Sequence, residues 1–528
     1  MEKSENGAMK IPSLKQAVAQ MVMPRLEGNR LPEPAYRGEI AGLVREGLGG
    51  LLLFGGDIDN TPRYLAELQT EAEFPLLISS DVERGLGQQL SGGTRFPSQR
   101  AVASAMGRRS KKDVDLLGRM LDAVRTETRA AGIHIVFSPV MDVNNNPDNP
   151  IICTRSFGED PETVEWFGRH YIRGLQKAGT DGHLDLLACA KHFPGHGDTD
   201  QDSHSVLPVI RADRARLNRV ELPPFREAVK DGVGTVMIAH LLVPALDPVK
   251  PVTFSKKVVT ALLREGMAFE GLIVSDALDM GALAGQYTQD EIAVRAVEAG
   301  MDILLHPVDA RITLNAVVKA VETGRITETR IHESVARILA AKKRLGLFEK
   351  KTAAPKIDHE QHRKIAAEIG RKALRIMRGD EMKLPLSAAS GMACFVLDDD
   401  GQGMGGPFTQ GLMKRFGTVN STTLTPDLCD TSLSSHLDMS GASSVVIGIF
   451  SRISAAKGRS GLSPKLRDAA FEILKRATAA GRRSAVVSFD SPYILDQFKD
   501  ADVLIAGYDR MDAIQEAAAE MIAGVRGQ

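Results

Sequence analysis

Residues 271–276 read GLIVSD: one glycine, three apolar residues in a row, then Ser275 and Asp276. A strand with one wet face alternates apolar and polar side chains. An unbroken apolar run bounded by a turn former fits a strand buried on both faces, as in parallel sheets. The same texture recurs along the chain, in AVAQMVM (17–23), GGLLLFGG (49–56), PLLISS (75–80), IHIVFSPV (133–140), LLACA (186–190), GTVMIAH (234–240) and MDILLH (301–306). Between these runs lie stretches of helical period such as PEPAYRGEIAGLVREG, PETVEWFGRHYIRGLQKAG and DEIAVRAVEAG. An open doubly wound sheet would also alternate in this way. Eight strand–helix units in the first ~350 residues predict a (β/α)8 TIM-like barrel instead.

After residue 345 the texture changes. GLFEKKTAAPKID is charged and carries a proline, a linker composition. A helical stretch, HRKIAAEIGRKALRIM, follows. Then come ACFVLDD (393–399), SVVIGIF (444–450), SAVVSFD (484–490) and DVLIAGYD (502–509), with helical patterns such as SPKLRDAAFEILKRATAAG between them. The fold class is therefore α/β: a barrel domain over 1–350, a linker over 351–365 and a smaller α/β sandwich over 366–528. A chain of 528 residues exceeds what one core supports, which agrees with two domains.

Net charge is −1, so no bulk basic field exists to gather nucleic acid or an acidic membrane surface. The cysteines, Cys153, Cys189, Cys394 and Cys429, form no CxxC pair, which suggests neither a disulfide framework nor a cysteine zinc site. The N-terminal MEKSENGAMKIPS is polar, and no apolar run reaches the ~18 residues of a membrane span. These features lead to the expectation of a cytoplasmic protein.

In a barrel, chemistry gathers at the C-terminal ends of the strands. Those ends present Asp81, Asp142 and then Arg155, Lys191 with His192, His240, Asp276 and His306. Any one of them is more often a surface or capping group; together, on one rim, they describe a cleft. Asp276 closes an apolar strand, where a carboxylate serves either as a nucleophile or as a helix cap. The fifth strand runs into KHFPGHGDTDQDSHSVLP (191–208), dense in ionisable groups and punctuated by Gly195 and Gly197. Read as extended chain, Asp202 and His204 point to the same side, and a carboxylate beside an imidazole makes a proton donor and acceptor. Asp198, Asp200 and Asp202 have calcium-loop spacing, but Ser203 and Val209 stand where glycine and glutamate are needed, so no metal site is expected. GQGMGG (401–406) has dinucleotide-fingerprint spacing; the three aspartates before it would repel a pyrophosphate, and it reads as a turn.

With these residues in view, the chain resembles the family 3 glycoside hydrolases, specifically their N-acetyl-β-glucosaminidase (β-hexosaminidase) branch. KHFPGHGDTDQDSHSVLP matches that branch's K-H-F-P-G-H-G-x-x-x-x-D-S-H-x-x-L-P signature, and DVERG, SPVMDVNNNPDNPIICTRSFGEDP, IVSDALDM and AGMDILL support it. The resemblance implies retaining hydrolysis of a terminal β-linked N-acetylglucosamine through a covalent glycosyl-enzyme. Asp276 would be the nucleophile, His204 the general acid/base and Asp202 its assistant; Asp81, Arg155, Lys191 and His192 would bind the sugar. It implies no metal or organic cofactor. The partner is a small carbohydrate, not nucleic acid or a membrane. The DVERG segment continues LGQQ, without the arginines of peptidoglycan-recycling members, which points to a different aglycone. A phosphorylase using phosphate in place of water, and a β-glucosidase without acetamido preference, are the alternatives.

Overall fold

The computed structural model describes residues 13–179, 181–349, 357–379, 384–386, 391–429 and 436–525. Two compact units emerge. The first comprises residues 1–95, 118–143 and 160–359; the second comprises 96–117, 144–159 and 360–528. Residues 351–356 of the expected linker lie outside the described residues, and a helix, His359–Ala373, begins shortly after them.

In the first unit the strands are β1 (Val22–Met23, resuming after Pro24 as Arg25–Glu27), β2 (Gly50–Phe54), β3 (Leu77–Ser80), β4 (Ile135–Val136), β5 (Leu187–Phe193), β6 (Thr235–Ile238), β7 (Leu272–Ser275) and β8 (Leu304–Leu305). β1 through β7 pair in chain order, all parallel. β8 pairs with β1, and a Val274–Ile303 bridge joins it to β7, so the sheet curls into a ring of eight. β3, β5, β6 and β7 are buried at every position, which is why they read as unbroken apolar runs. The polar residues among them are satisfied locally: Ser80 Oγ donates to Leu53 O at 2.8 Å and Thr235 Oγ1 to Ala188 O at 2.9 Å.

The first run departs from its reading as a strand. Residues 17–20 belong to a helix, Leu14–Gln20, and only the following residues join the sheet. The helix is set by a capping box in which Ser13 accepts from Gln16 N while the Gln16 side chain returns to the Ser13 N–H. A local cap overrode an apolar pattern too short to discriminate strand from helix. The other quoted helical stretches match Pro34–Arg45, Pro161–Leu175 and Gln289–Ala299.

The second unit holds β9 (Arg375–Arg378), β10 (Met392–Asp398), β11 (Val419–Leu424), β12 (Ser444–Phe450), β13 (Arg483–Ser488) and β14 (Val503–Ala506). Their order is β9-β14-β13-β12-β10-β11, parallel except for β9 against β14. Phe408, Phe450 and Phe489 form an aromatic core, Phe450 stacked on Phe489 at 4.6 Å between centroids. Segments from early in the chain join this unit through side chains: Asp509 accepts from Ser98 N at 2.9 Å, and Tyr493 Oη accepts from Asn144 Nδ2 at 3.0 Å. GQGMGG is the turn expected. Asp398 Oδ2 accepts from Gly403 N at 2.7 Å and Met404 N at 3.2 Å, so a carboxylate already occupies the amides a pyrophosphate would need. Among the described residues no helix is long and apolar enough to cross a membrane.

Candidate active site

The C-terminal rim of the first unit is organised around buried ion pairs. Lys191 is 2% exposed and its Nζ lies 2.6 Å from both Asp81 Oδ1 and Glu83 Oε1. Two carboxylates on one ammonium leave a net negative, acceptor-rich corner, suited to the hydroxyls of a sugar. The β5–β6 ladder shifts register between Ala190 and Phe193, so Lys191 and His192 leave the regular alternation at the strand end. Lys191 reaches the end of β3, and His192 reaches Asp142 beyond β4.

Asp142 is the hub of this rim. Fully buried, it accepts from His192 N at 3.1 Å, from His192 Nδ1 at 2.7 Å and from His196 N at 2.7 Å. Burial opposes its ionisation, but the charge and hydrogen bond of His192 and the contacts of His196 outweigh that and lower its pKa. With Nδ1–H committed to Asp142, the tautomer of His192 is fixed.

Asp276 follows β7 directly. Its N–H donates to Ile238 O at 3.0 Å, and its Oδ1 accepts from Ala277 N at 2.8 Å. Burial would raise its pKa; the fields of His192 and His240, the Ala277 N–H and the field of His204 hold it down to about 2. An ionised carboxylate at a strand end is the state a nucleophile needs. His240, one of the rim residues, has a supporting part. Its Nε2–H donates to Ala277 O at 2.9 Å, its Nδ1 lies 2.7 Å from Thr253 Oγ1, and burial lowers its pKa. It therefore steadies, in neutral form, the peptide that binds Asp276.

Asp202 and His204 meet through a turn and not through extended chain. Ser205 N and Val206 N both donate to Asp202 O, and one oxygen, Asp202 Oδ1, accepts from His204 N at 2.9 Å and from His204 Nδ1 at 2.8 Å. Asp202 is buried while the His204 side chain is 35% exposed, so the ring is supported on one side and open on the other. Three bonds hold the turn in place. His196 Nε2 lies 3.0 Å from Ser203 Oγ; Gly281 N donates to His204 O at 3.2 Å; Ala282 N donates to Ser203 O at 3.3 Å. The last two dock the turn on the segment that begins at Asp276. A Cβ at Gly281 would lie 2.7 Å from His204 O, so only glycine permits this approach.

The family model for the glycosyl hydrolase family 3 N-terminal domain matches residues 13–341. The chain belongs to glycosyl hydrolase family 3. Within that family it is similar to a beta-hexosaminidase A of Pseudoalteromonas piscicida, 29% identical over 396 residues, which are 68% of this chain and 64% of the relative's length. A beta-N-acetylglucosaminidase/beta-glucosidase of Cellulomonas fimi is 30% identical over 390 residues, 71% of this chain and 67% of its own. Among solved structures, a family 3 beta-N-acetylglucosaminidase from Paenibacillus sp. str. FPU-7 superposes with a TM-score of 0.84 at 30% identity, covering 98% of both chains. A beta-glucoside phosphorylase shares the fold, with a TM-score of 0.81 at 21% identity.

The first unit of this family 3 chain thus carries Asp81, Lys191, His192, Asp202, His204 and Asp276. Arg155 belongs to the second unit, at the end of a short 3-10 turn, where Nη1 donates to Ile151 O at 3.1 Å. Sequence reasoning left four contributors unassigned. Glu83 stands two residues from Asp81 and shares its lysine. His196 and Ser203 support the Asp202–His204 turn. Gly281 lies five residues beyond Asp276, and no composition or period marks it.

Proposed function

We propose that this protein is a retaining β-N-acetylglucosaminidase that removes terminal non-reducing β-linked N-acetylglucosamine. The observation that carries the reading is the docking of the Asp202–His204 turn on the segment beginning at Asp276, which supplies a proton carrier and an ionised carboxylate from one piece of architecture. Asp276, with Oδ1 held by Ala277, attacks the anomeric carbon through Oδ2. His204 keeps Nδ1–H on Asp202, so Nε2 gives its proton to the departing glycosidic oxygen. In the second step Nε2 takes a proton from water, which displaces Asp276 and restores the anomeric configuration. The imidazole replaces the acid/base carboxylate of the usual two-carboxylate scheme. Asp81, Lys191 and His192 hold sugar hydroxyls, and Arg155 keeps the sugar-binding role the resemblance implies. No step calls for a metal or an organic cofactor. The four free cysteines fit a cytoplasmic location.

The test is product analysis on aryl N-acetyl-β-glucosaminides and aryl β-glucosides at varied phosphate. The reading predicts free N-acetylglucosamine of retained configuration, faster cleavage of the acetamido substrate, and no dependence on phosphate. Sugar 1-phosphate as the main product at millimolar phosphate would replace hydrolysis with phosphorolysis.

A further inference from the structure

Asp302 is fully buried at the N-terminal end of the barrel, remote in the strand direction from Asp276. Its Oδ2 accepts from Ile273 N at 3.0 Å and its Oδ1 from Ser334 Oγ at 2.6 Å, so it ties β7 to the helix Glu328–Arg344. One cation suffices to neutralise this carboxylate. Three guanidinium groups surround it. Arg264 Nη2 is 2.7 Å away, Arg337 Nη1 3.1 Å and Arg330 Nη2 3.9 Å. Their side chains are only 16–29% exposed, so positive charge in excess of this carboxylate is held largely out of water, with Arg264 also donating to Phe269 O and Gly271 O and Arg330 to Met301 O and Ser334 Oγ. Burial pushes Arg264 down to about 10, as desolvated like charges require.

These arginines line a cleft of about 770 Å³ beside the π-helical segment Lys257–Gly266 and the helices Gln289–Ala299 and Glu328–Arg344. Lys250 and Lys256 line the same cleft; both are exposed, and neither ammonium has an ion-pair partner among the described residues. Arg295 and Arg325 complete the cationic lining and pair with Glu291, Arg325 with Glu298 as well. Seven lining cations face four carboxylates, namely Glu298 and Glu333 of the lining and their partners Glu291 and Asp302. The surplus is three positive charges. Arg337 uses only Nη1 on protein; Nε and Nη2 have no partner among the described residues.

We propose that this cleft binds a small ligand carrying two or more linked phosphate groups. Guanidinium forks match phosphate oxygens in pairs, and a desolvated surplus of them is stabilised by an anion that brings its own charge. The uncommitted donors belong to three separate residues, Lys250, Lys256 and Arg337 through Nε and Nη2, which suits a chain of phosphates better than one. The site is independent of the sugar-binding rim and of the activity proposed above.

Calorimetric titration of the full chain with inorganic tripolyphosphate at constant ionic strength tests this. The parent binds one equivalent, and Asp276→Asn binds equally well. Arg337→Gln and, separately, the surface variant Lys256→Gln weaken binding, the first by tenfold or more, with turnover of an aryl N-acetyl-β-glucosaminide unchanged. Removing a repelling charge leaves the ligand-free melting temperature of Arg337→Gln at or above that of the parent. No binding by the parent at millimolar tripolyphosphate overturns the proposal. So does equal binding by both variants, an equal response to sulfate, or binding of nucleic acid without binding of tripolyphosphate.

Discussion

Gly281→Ala isolates the docking of the Asp202–His204 turn. The backbone of Gly281 is not in the left-handed region, so alanine is conformationally acceptable there, and the effect is steric. The new methyl would lie 2.7 Å from His204 O and 3.1 Å from Ser205 O, where ordinary contact begins at 3.4 Å. The His204 carbonyl must therefore retreat by about 0.7 Å, stretching the 3.2 Å and 3.3 Å bonds from Gly281 N and Ala282 N. Each of those bonds contributes roughly 1 kcal/mol, so the global loss of stability stays near ~2 kcal/mol. Catalysis suffers more, because a misplacement of about 1 Å costs on the order of 100-fold when a reacting group is displaced. Asp276 stays anchored through Ile238 O and Ala277 N, so the proposed nucleophile is spared. kcat/KM should fall roughly 10- to 100-fold for an alkyl or poor aryl leaving group, and little for a nitrophenol that departs without protonation. The assay is kcat/KM across aryl N-acetyl-β-glucosaminides graded by leaving-group pKa. A uniform loss over the series, or none, refutes the argument that Gly281 positions His204.

Asp276→Ala should abolish turnover of every substrate, whereas His204→Ala should spare good leaving groups; equal damage to both classes by His204→Ala would remove it as the acid. Lys191→Met leaves Asp81 and Glu83 facing each other without their cation, and should cost about 3–5 kcal/mol in urea denaturation; an unchanged urea midpoint would contradict the buried pairing. His196 is buried and its pKa is depressed by that burial to about 4. Below its unfolded value of ~6.5 only the unfolded chain takes up the proton, so stability is complete above ~6.5 and falls as pH drops toward 4, by about 3 kcal/mol. His196→Asn should lack this component, and denaturation midpoints measured from pH 7 to pH 4 that decline in parallel for parent and variant would refute it.

The eight apolar runs were enough to lay out the barrel, because a strand buried on both faces has no polar alternation to hide it. The exception, 17–23, was short, and a capping box decided it locally. Lys191, His192, Asp202, His204 and Asp276 were legible because they concentrate at the ends of such strands or in one dense loop. Their partners were not. Asp142 looked like one rim residue among several until three donors converged on it from β5 and the loop beyond. Asp202 and His204 promised a pair by spacing, and the pair formed through a turn whose docking depends on Gly281. The sequence by itself determined the strand count of the barrel but not of the second sheet, where Arg375–Arg378 and Val419–Leu424 add two strands to the four it named; it also determined the residue types available for proton transfer and nucleophilic attack and the absence of a bulk charge to draw polyanions. Only the tertiary structure decided which carboxylate serves which cation, and that three arginines from two helical segments crowd Asp302. Ion pairs and close backbone approaches form between segments distant in the chain, and their energies depend on separation and burial, which no local pattern of residues encodes.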